Sequence, residues 1–408
     1  MGIRKIIREI KMNKKLLLST AIVAASLMSA AQAEVKIGFL GGFTGPIESL
    51  TPPIYAGAKL AVAQINLEGG MFSTGEILAM PTADTTCVDA SAASNGADRL
   101  INSEGVVGIV GGLCSGATIA ASNNVAVPAG VPMITPASTS PAVTGLDDND
   151  LVFRTTPSDA YQGEMLAKLL TAKGIDEIAI TYVNNDYGKG LADALASAYT
   201  GTVAANEAHE DGKADYRAEL GSLASTGVET LVVLAYADGS GQTILRQAYE
   251  SGDFGRFVGG DGMVGQNIVD AVGADVLDGM IATKPGIPQV AGLSAYAEAM
   301  TSLGQDPTAI FAGQSYDATF ILALALESKG SADVDGMAAA IRMVSSAPGE
   351  IILPGEWAKA KKALAAGKDI NYQGASGDHE FDANGDVPGM IVEMLVENGA
   401  FVQKSVLK

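Results

Sequence analysis

The chain has 408 residues, 48% of them hydrophobic and 18% charged, with a formal net charge of −20 at pH 7. This length exceeds that of one ordinary core and predicts two domains, while the hydrophobic content excludes an intrinsically disordered chain. The acidic balance argues against nucleic acid and anionic membrane surfaces as partners.

The first 33 residues have the organisation of a secretory signal peptide. Lys14 and Lys15 precede the mainly apolar segment Leu16–Ala30, and Ala31-Gln32-Ala33 forms an A-x-A cleavage site. The apolar segment is too short for a comfortable membrane span. We therefore expect cleavage after Ala33 and an exported, soluble, periplasmic chain. Met12 begins a more typical leader than Met1 does.

Strand and helix patterns alternate along the rest of the chain, which predicts a doubly wound α/β architecture. The first unit begins with a strand at Val35–Leu40, followed by a helix and a second strand at Ile77–Met80. The same rhythm returns after Thr155, with a strand at Glu177–Val183. This repetition predicts two similar lobes with a ligand cleft between them. The segment Ala400–Leu407 is expected to be a tail.

Small hydroxyl residues follow two neighbouring strands of the first unit. Ser115 comes after the apolar run Val106–Val110, and Thr139 comes after the strand Val131–Thr135. In open parallel sheets, ligands bind beyond the carboxyl ends of the strands. Hydroxyls and free backbone N–H groups there suit a carboxylate. We therefore predict that Ser115 and Thr139 bind the carboxylate of a small ligand; the alternative is ordinary caps and turns.

Three residues of the second unit also follow strands. Asp261 comes after the strand Arg256–Gly260 and could bind an ammonium group, or could simply be a turn aspartate. Tyr187 and Tyr236 could form a flat wall with polar tips, or could be half-buried packing residues. The pattern Gly260-x-Gly262-x-x-Gly265 lacks the acidic residue of a dinucleotide site and does not predict a nucleotide cofactor.

The sequence contains no recognisable catalytic arrangement. Its histidines are His209 and His379, and neither has a nucleophile beside it. A Gly-x-Ser-x-Gly elbow and a P-loop are both absent. These observations predict a binding protein rather than an enzyme, with no cofactor and no metal.

The chain has two cysteines, Cys87 and Cys114. An even number of cysteines in an exported chain favours a disulfide. The alternative is a zinc site, but no histidine lies near either cysteine.

Several segments, taken together, resemble the periplasmic binding proteins of branched-chain amino acid ABC transporters, the Leu/Ile/Val-binding type. They are IGFLGGFTGP, AGAKLAVAQINLEGG, GGLCSGAT, VPMITPASTSPAVT, NNDYGKGLA and YQGASGDHEFDANGD. The resemblance covers nearly all of the chain after the leader. It implies a type I periplasmic binding fold, with two doubly wound parallel-sheet lobes joined by a three-strand hinge. The implied limits are 34–155 and 284–380 for lobe 1 and 156–283 for lobe 2, with 381–408 holding the hinge return and the rest of lobe 2.

The resemblance also implies a set of ligand-binding residues. Ser115 and Thr139 match the positions that bind the carboxylate of the ligand, and the Ala137 carbonyl matches one that faces its ammonium group. Asp261 falls where the family places an acid, often glutamate, for the ammonium, and Leu50 falls where some members have tryptophan. The remaining implied positions are Ser138, Tyr187, Tyr236 or Ala237, and the disulfide pair Cys87 and Cys114.

The implied function is capture of a free amino acid, branched-chain or otherwise aliphatic. A monomer would close on this ligand and deliver it to the permease subunits of an ABC transporter. The alternative is a binding or sensor protein of the same fold for amides, urea, or aromatic or other non-amino carboxylates.

Overall fold

The computed structural model describes residues 33–408, so the predicted signal peptide lies outside the described residues apart from Ala33 itself. Among the described residues, no helix is both long and apolar enough to cross a membrane.

The first lobe is built on a sheet of five parallel strands. In spatial order they are β4 (Thr82–Asp84), β2 (Gly38–Gly41), β5 (Ile109–Gly111), β6 (Met133–Thr135) and β7 (Val152–Arg154). Every residue of the last four is buried, as expected for a parallel sheet covered on both faces. Beside it, β1 (Glu34–Lys36) pairs with β3 (Ile77–Ala79) in a small sheet.

The second lobe is built on a sheet of seven strands. Five are parallel, in the order β9 (Thr202–His209), β8 (Glu177–Val183), β10 (Thr230–Leu234), β11 (Arg256–Gly259) and β12 (Ile281–Pro285). The sheet continues with two antiparallel strands, β15 (Ile391–Glu397) and β16 (Ala400–Leu407). A further small sheet pairs β13 (Glu350–Ile352) with β14 (Ile370–Tyr372).

The two large sheets share one strand order. Numbered along the chain, the five parallel strands of each sheet lie in the order second, first, third, fourth, fifth. The predicted fold class, two doubly wound parallel-sheet lobes, is therefore confirmed. The carboxyl ends of both sets of strands are where a ligand of such a fold is expected.

Helices connect the strands and cover the sheets. One close crossing, between Thr51–Leu67 and Ala312–Lys329, requires glycine, because a Cβ on Gly57 would lie 2.0 Å from the Ala312 carbonyl oxygen. Two helices, Ala90–Asp98 and Ser115–Ala121, continue into the π-helical segments Arg99–Glu104 and Ser122–Ala126. The other α-helices are Pro141–Thr144, Asp159–Ala172, Asp186–Ala198, Arg217–Ala224, Ser240–Ser251, Gln266–Val272, Ala274–Leu277, Ala291–Ser302, Met337–Ser345 and Trp357–Ala365.

The chain passes between the two lobes three times. The crossings follow β7, β12 and β14. A buried arginine joins the first crossing to the third: the Arg154 side chain donates to both carboxylate oxygens of Asp386, at 2.6 and 2.7 Å. The same guanidinium donates to the carbonyl oxygens of Thr139 and Ser140, each at 3.0 Å. Arg154 thus connects the hinge crossings by hydrogen bonds to the turn that contains Thr139. The residue limits of the lobes stay a prediction.

One expectation about local structure was wrong, and some strands were not predicted. The predicted strand Ile77–Met80 is present as β3 of the small sheet, but the strand that pairs with β2 is β4, which was not predicted. The predicted tail Ala400–Leu407 is strand β16, paired along its length with β15. The edge strand β9 was not predicted, because it buries few of its residues and carries little apolar pattern.

Candidate functional site

A single cavity between the lobes collects most of the predicted site residues. The space between its lining residues that no protein atom fills is about 360 Å³, part of it open to solvent. The side contributed by the first lobe is lined by Ile47, Leu50, Ile54, Leu113, Cys114, Ser115, Ala137 and Phe311; the side contributed by the second is lined by Tyr187, Tyr236, Asp261 and Gly262.

The polar lining residues follow the carboxyl ends of parallel strands. Ser115 and Ala137 come a few residues after β5 and β6 of the first sheet. Tyr187, Tyr236 and Asp261 come after β8, β10 and β11 of the second sheet. Because the carboxyl ends of both sheets meet the cleft, residues far apart in sequence line one cavity.

The first-lobe polar groups have unused hydrogen-bonding capacity. Ser115 Oγ accepts the Ser140 N–H at 3.2 Å, which leaves the hydroxyl hydrogen free to donate. The Thr139 hydroxyl is buried without a hydrogen-bond partner, although Thr139 is not itself a cavity-lining residue. No donor among the described residues bonds the Ala137 carbonyl oxygen.

Ser138 does not fit the ligand-binding role that the resemblance implied. Its hydroxyl is fully buried inside the first lobe, 2.7 Å from Thr118 Oγ1 and 3.1 Å from the Gly112 carbonyl oxygen. Its backbone N–H donates to Thr135 Oγ1 at 3.0 Å. These bonds turn the side chain away from the cavity, and Ser138 instead holds the shape of the turn that presents its neighbours.

Asp261 is buried at the second-lobe wall of the cavity, with one oxygen occupied and one free. Its Oδ1 accepts from Gln162 Nε2 and from the Tyr187 hydroxyl, each at 2.9 Å. No side chain of the described residues donates to its Oδ2. Burial raises the pKa of Asp261 to about 6, although the bonds from Tyr187 and Gln162 and the nearby backbone N–H groups of Asp261 and Gly262 favour the charged form. A cation that reached Oδ2 would restore the ordinary ionisation of this carboxyl.

A second buried acid, Asp159, was missed by sequence reasoning. It begins the helix Asp159–Ala172, directly after the first hinge crossing, and both of its carboxylate oxygens are buried without a hydrogen-bond partner. Burial raises its pKa well above the ordinary range and the negative charge of Asp261 raises it further, whereas the nearby Thr139 hydroxyl and the positive charge of Arg154 favour the ionised form. An acid in the first turn of a helix is common, so its sequence position alone carried no signal.

The two tyrosines form one wall, with the rings of Tyr187 and Tyr236 stacked at 5.1 Å between centroids and 20° between planes. Of the two alternatives Tyr236 and Ala237, Tyr236 is the one that lines the cavity. The backbone of Ala237 instead donates to the Gly262 carbonyl oxygen at 2.9 Å.

The opposite end of the cavity is apolar. Leu50 lines it together with Ile47, Ile54 and Leu113. Phe311 completes this end from a left-handed backbone conformation, φ 61°, which bulky residues rarely adopt. Its position could not be read from the sequence, because it depends on a strained turn between two hinge-side elements.

The predicted disulfide is present between Cys87 and Cys114. Cys114 lines the cavity and immediately precedes Ser115, so the disulfide anchors the loop that presents the Ser115 hydroxyl.

Both histidines are buried away from the cavity lining. The ring nitrogens of His209 lie 2.8 Å from Thr181 Oγ1 and 2.9 Å from Ser240 Oγ, and burial lowers its pKa to about 4. His379 lies 3.5 Å from Asp317.

Comparison with known proteins gives the same architecture. A family profile described as the receptor family ligand binding region matches residues 54–395. A leucine-, isoleucine-, valine-, threonine- and alanine-binding protein of Pseudomonas aeruginosa is 32% identical over 80% of this chain and 87% of its own length.

Two solved structures are similar over nearly their whole length. A leucine-binding protein from Thermotoga maritima superposes with a TM-score of 0.77 and 25% identity, over 92% of this chain and 99% of that one. The second is a branched-chain amino acid transporter substrate-binding protein from Streptococcus pneumoniae, in complex with isoleucine. It superposes with a TM-score of 0.74 and 25% identity, over 91% of this chain and 100% of that one.

Two parallel-sheet lobes around one cleft, together with these likenesses, define a type I periplasmic binding fold. The chain belongs to the family of branched-chain amino acid (Leu/Ile/Val) binding proteins.

Proposed function

We propose that this chain is the periplasmic solute-binding protein of an ABC importer, and that it captures a free aliphatic amino acid by hinge closure. The single observation that carries the proposal is the polarity of the cavity. One end is lined by the buried Ser115 hydroxyl and the buried Asp261 carboxylate, with the buried Asp159 and Thr139 in the same part of the fold, and the other end is lined by aliphatic side chains and Phe311.

The acceptors fit the ammonium group of an amino acid. Among the described residues, no side chain makes a hydrogen bond to Oδ2 of Asp261, to either carboxylate oxygen of Asp159 or to the Ala137 carbonyl oxygen. A buried carboxylate without a partner is costly, and an ammonium group brings both a positive charge and three N–H donors. We therefore assign the ammonium to Asp261, supported by Asp159.

The donors fit the carboxylate of the same ligand. The Ser115 hydroxyl can donate into the cavity, and the Thr139 hydroxyl and backbone N–H make no other hydrogen bond. The turn that carries Thr139 is held from behind by Arg154, which donates to the Thr139 carbonyl oxygen. The ligand carboxylate would thus accept hydrogen bonds from uncharged donors of Ser115 and Thr139, and Arg154 would hold the Thr139 turn in place.

The apolar end sets the side-chain class. A charged or strongly polar ligand side chain would lose its hydration among Ile47, Leu50, Ile54 and Phe311 without gaining a partner. The relatives named as leucine-, isoleucine- and valine-binding support the same class. Closure around such a ligand would present the loaded form to the permease.

A thermal-shift and calorimetric panel tests the proposal. Leucine, isoleucine and valine should stabilise the protein, whereas leucinamide, 4-methylpentanoate, benzoate, urea and lysine should not do so at equal concentration. Stabilisation by an amide, by urea or by benzoate with no response to any aliphatic amino acid would replace the proposed ligand with one of those classes.

A further inference from the structure

Two turns face each other across one side of the cavity. The first-lobe turn, residues 46–50, precedes the helix Thr51–Leu67, and the second-lobe turn, residues 236–239, follows β10. Each turn also supplies lining side chains, Leu50 and Ile47 on one and Tyr236 on the other. A ligand side chain in the cavity therefore lies between the same two turns.

The two turns are joined by hydrogen bonds that centre on Asp238. Its Oδ2 accepts from the Ser49 backbone N–H at 2.8 Å and from the Ser49 hydroxyl at 2.6 Å. Its own N–H donates to the Pro46 carbonyl oxygen at 3.2 Å. The second lobe steadies the other oxygen, since Oδ1 accepts from Asn267 Nδ2 at 2.7 Å.

Asp238 is not needed as a cap within its own lobe. The helix that follows it, Ser240–Ser251, has its first N–H bonded instead to Asp211 Oδ1, at 2.5 Å from Ser240 N. The Asp238 carboxylate is thus left to bind across the cleft. Within the second lobe, Asn267 holds only Oδ1, and Oδ2 is directed to Ser49 of the first lobe.

The opposite side of the cleft is joined more weakly. There the Ser140 hydroxyl donates to the Asp186 carbonyl oxygen at 2.8 Å, a neutral bond between a side chain and the backbone. Bonds to an ionised carboxylate are about twice as strong as neutral ones. Of the two contacts across the cleft, the one that involves a charged side chain is therefore the contact between Asp238 and Ser49.

We propose that Asp238 is a closure latch, a positioning residue that holds the lobes together by bonding to Ser49, and that the latch forms fully only around a ligand side chain small enough to fit between Leu50 and Tyr236. A larger side chain would hold the two turns apart and break the Ser49 bonds. This inference rests on the proposed function, because it assigns to the latch the discrimination among amino acids by size.

The latch has a kinetic signature that distinguishes it from a ligand contact. A ligand enters the open form, in which the Asp238–Ser49 bonds are absent, and escapes only after they break. Removing the latch should therefore raise the dissociation rate and leave the association rate nearly unchanged. It should also shift the ligand-free protein towards the open form.

The test compares Asp238→Ala, Ser49→Ala and the double variant, using calorimetry and stopped-flow tyrosine fluorescence with leucine and phenylalanine. We expect Asp238→Ala to weaken leucine binding by about 3- to 10-fold, since the Ser49 bonds are exposed to solvent, and to do so almost entirely through dissociation. The variant should also prefer leucine over phenylalanine less strongly than the wild type does. Ser49→Ala should have a smaller effect that nearly disappears when Asp238 is already alanine. Asp253→Ala, an exposed acid with no side-chain bond, is the matched control and should bind as the wild type does.

Three outcomes separate the latch from the proposed function. If the wild type binds leucine and Asp238→Ala does so with the same dissociation rate, the latch is contradicted. If the wild type binds no aliphatic amino acid, the proposed function fails, and small-angle scattering of the ligand-free proteins still tests the latch. A ligand-free Asp238→Ala with the same radius of gyration as the wild type would then count against it, and a larger radius would support it.

Discussion

The Tyr187 hydroxyl donates to Asp261 Oδ1 over 2.9 Å and accepts the Gly262 N–H over 3.0 Å. One phenol thus fixes both the carboxylate and the backbone that follows it. Because Gln162 also binds Oδ1, the oxygen left to face the cavity is Oδ2. The orientation of the proposed ammonium partner is set by neighbours rather than by the ligand.

Tyr187→Phe removes this hydroxyl while keeping the ring that stacks on Tyr236. The Gly262 N–H then loses its acceptor and Asp261 loses a donor that favours its charged form. We expect leucine to bind about 10-fold more weakly, with little change in the folded structure, as measured by calorimetry and circular dichroism. The control is Tyr182→Phe, at a tyrosine on β8 whose hydroxyl makes no hydrogen bond. Equal affinity for the two variants would contradict the orienting role.

Asp261→Asn should stabilise the ligand-free protein at neutral pH. Burial raises the pKa of Asp261 from 3.8 to about 6, so the folded protein binds more protons than the unfolded chain between these values. The contribution of Asp261 to the free energy of unfolding therefore falls as pH rises from about 4 to 6 and stays low above that.

The asparagine side chain of Asp261→Asn carries no charge, so it avoids the cost of burying an ionised carboxylate. Its oxygen can still accept from Tyr187 and Gln162. The free energy of unfolding of Asp261→Asn minus that of the wild type should therefore increase between pH 4 and pH 6, by the order of 1–3 kcal/mol. Above pH 6 this difference should level off. Urea unfolding at several pH values measures it. A constant difference from pH 4 to 7 would mean that the pKa of Asp261 is not raised.

Binding of an amino acid should release protons at mildly acidic pH. The proposed ammonium partner must be ionised, whereas Asp261 in the empty cavity has a pKa of about 6. Affinity should then fall by up to about tenfold for each pH unit below 6, and change little above pH 7. Calorimetry at pH 5.5 in two buffers of different ionisation enthalpy counts the protons released. No release from the wild type, or the same release from Asp261→Asn, would contradict this linkage.

The disulfide should contribute both to stability and to the site. It closes a loop with a sequence separation of 27 residues, for which chain entropy gives about 3–4 kcal/mol. Replacing both cysteines by serine should lower the free energy of unfolding by that order and weaken leucine binding, since Cys114 immediately precedes Ser115. Urea titrations and calorimetry on the variant and on the reduced wild type measure both effects. Unchanged affinity would show that the loop holds Ser115 without the bond.

The sequence predicted best those elements that are mostly buried and carry a continuous apolar run. The strand Glu177–Val183 has the predicted limits because six of its seven residues form an apolar or β-branched run. The edge strands β9 and β16 bury far less, so no pattern marked them. Strand β4 has only three residues, Thr82–Asp84, and their small and polar side chains are as typical of a turn as of a strand.

The site was predictable only where strand ends show in the sequence. Ser115, Tyr187 and Asp261 follow readable strands and do line the cavity. Asp159 and Asp238 acquire their surroundings from the approach of one lobe to the other, which no local pattern records. Ser138 also follows a readable strand, but its hydroxyl is directed away from the cavity. That direction depends on Thr118 and Gly112, which its position in the sequence does not show.

The most direct test of the central claim, that Asp261 binds the ammonium group of an amino acid, is a calorimetric comparison of leucine with 4-methylpentanoate on the wild type and on Asp261→Asn. The two ligands differ only in the amino group. We expect the wild type to prefer leucine strongly and the variant to lose most of that preference while its weak affinity for 4-methylpentanoate stays the same or rises. An undiminished preference for leucine in Asp261→Asn, or an equal loss of affinity for both ligands, would contradict the claim.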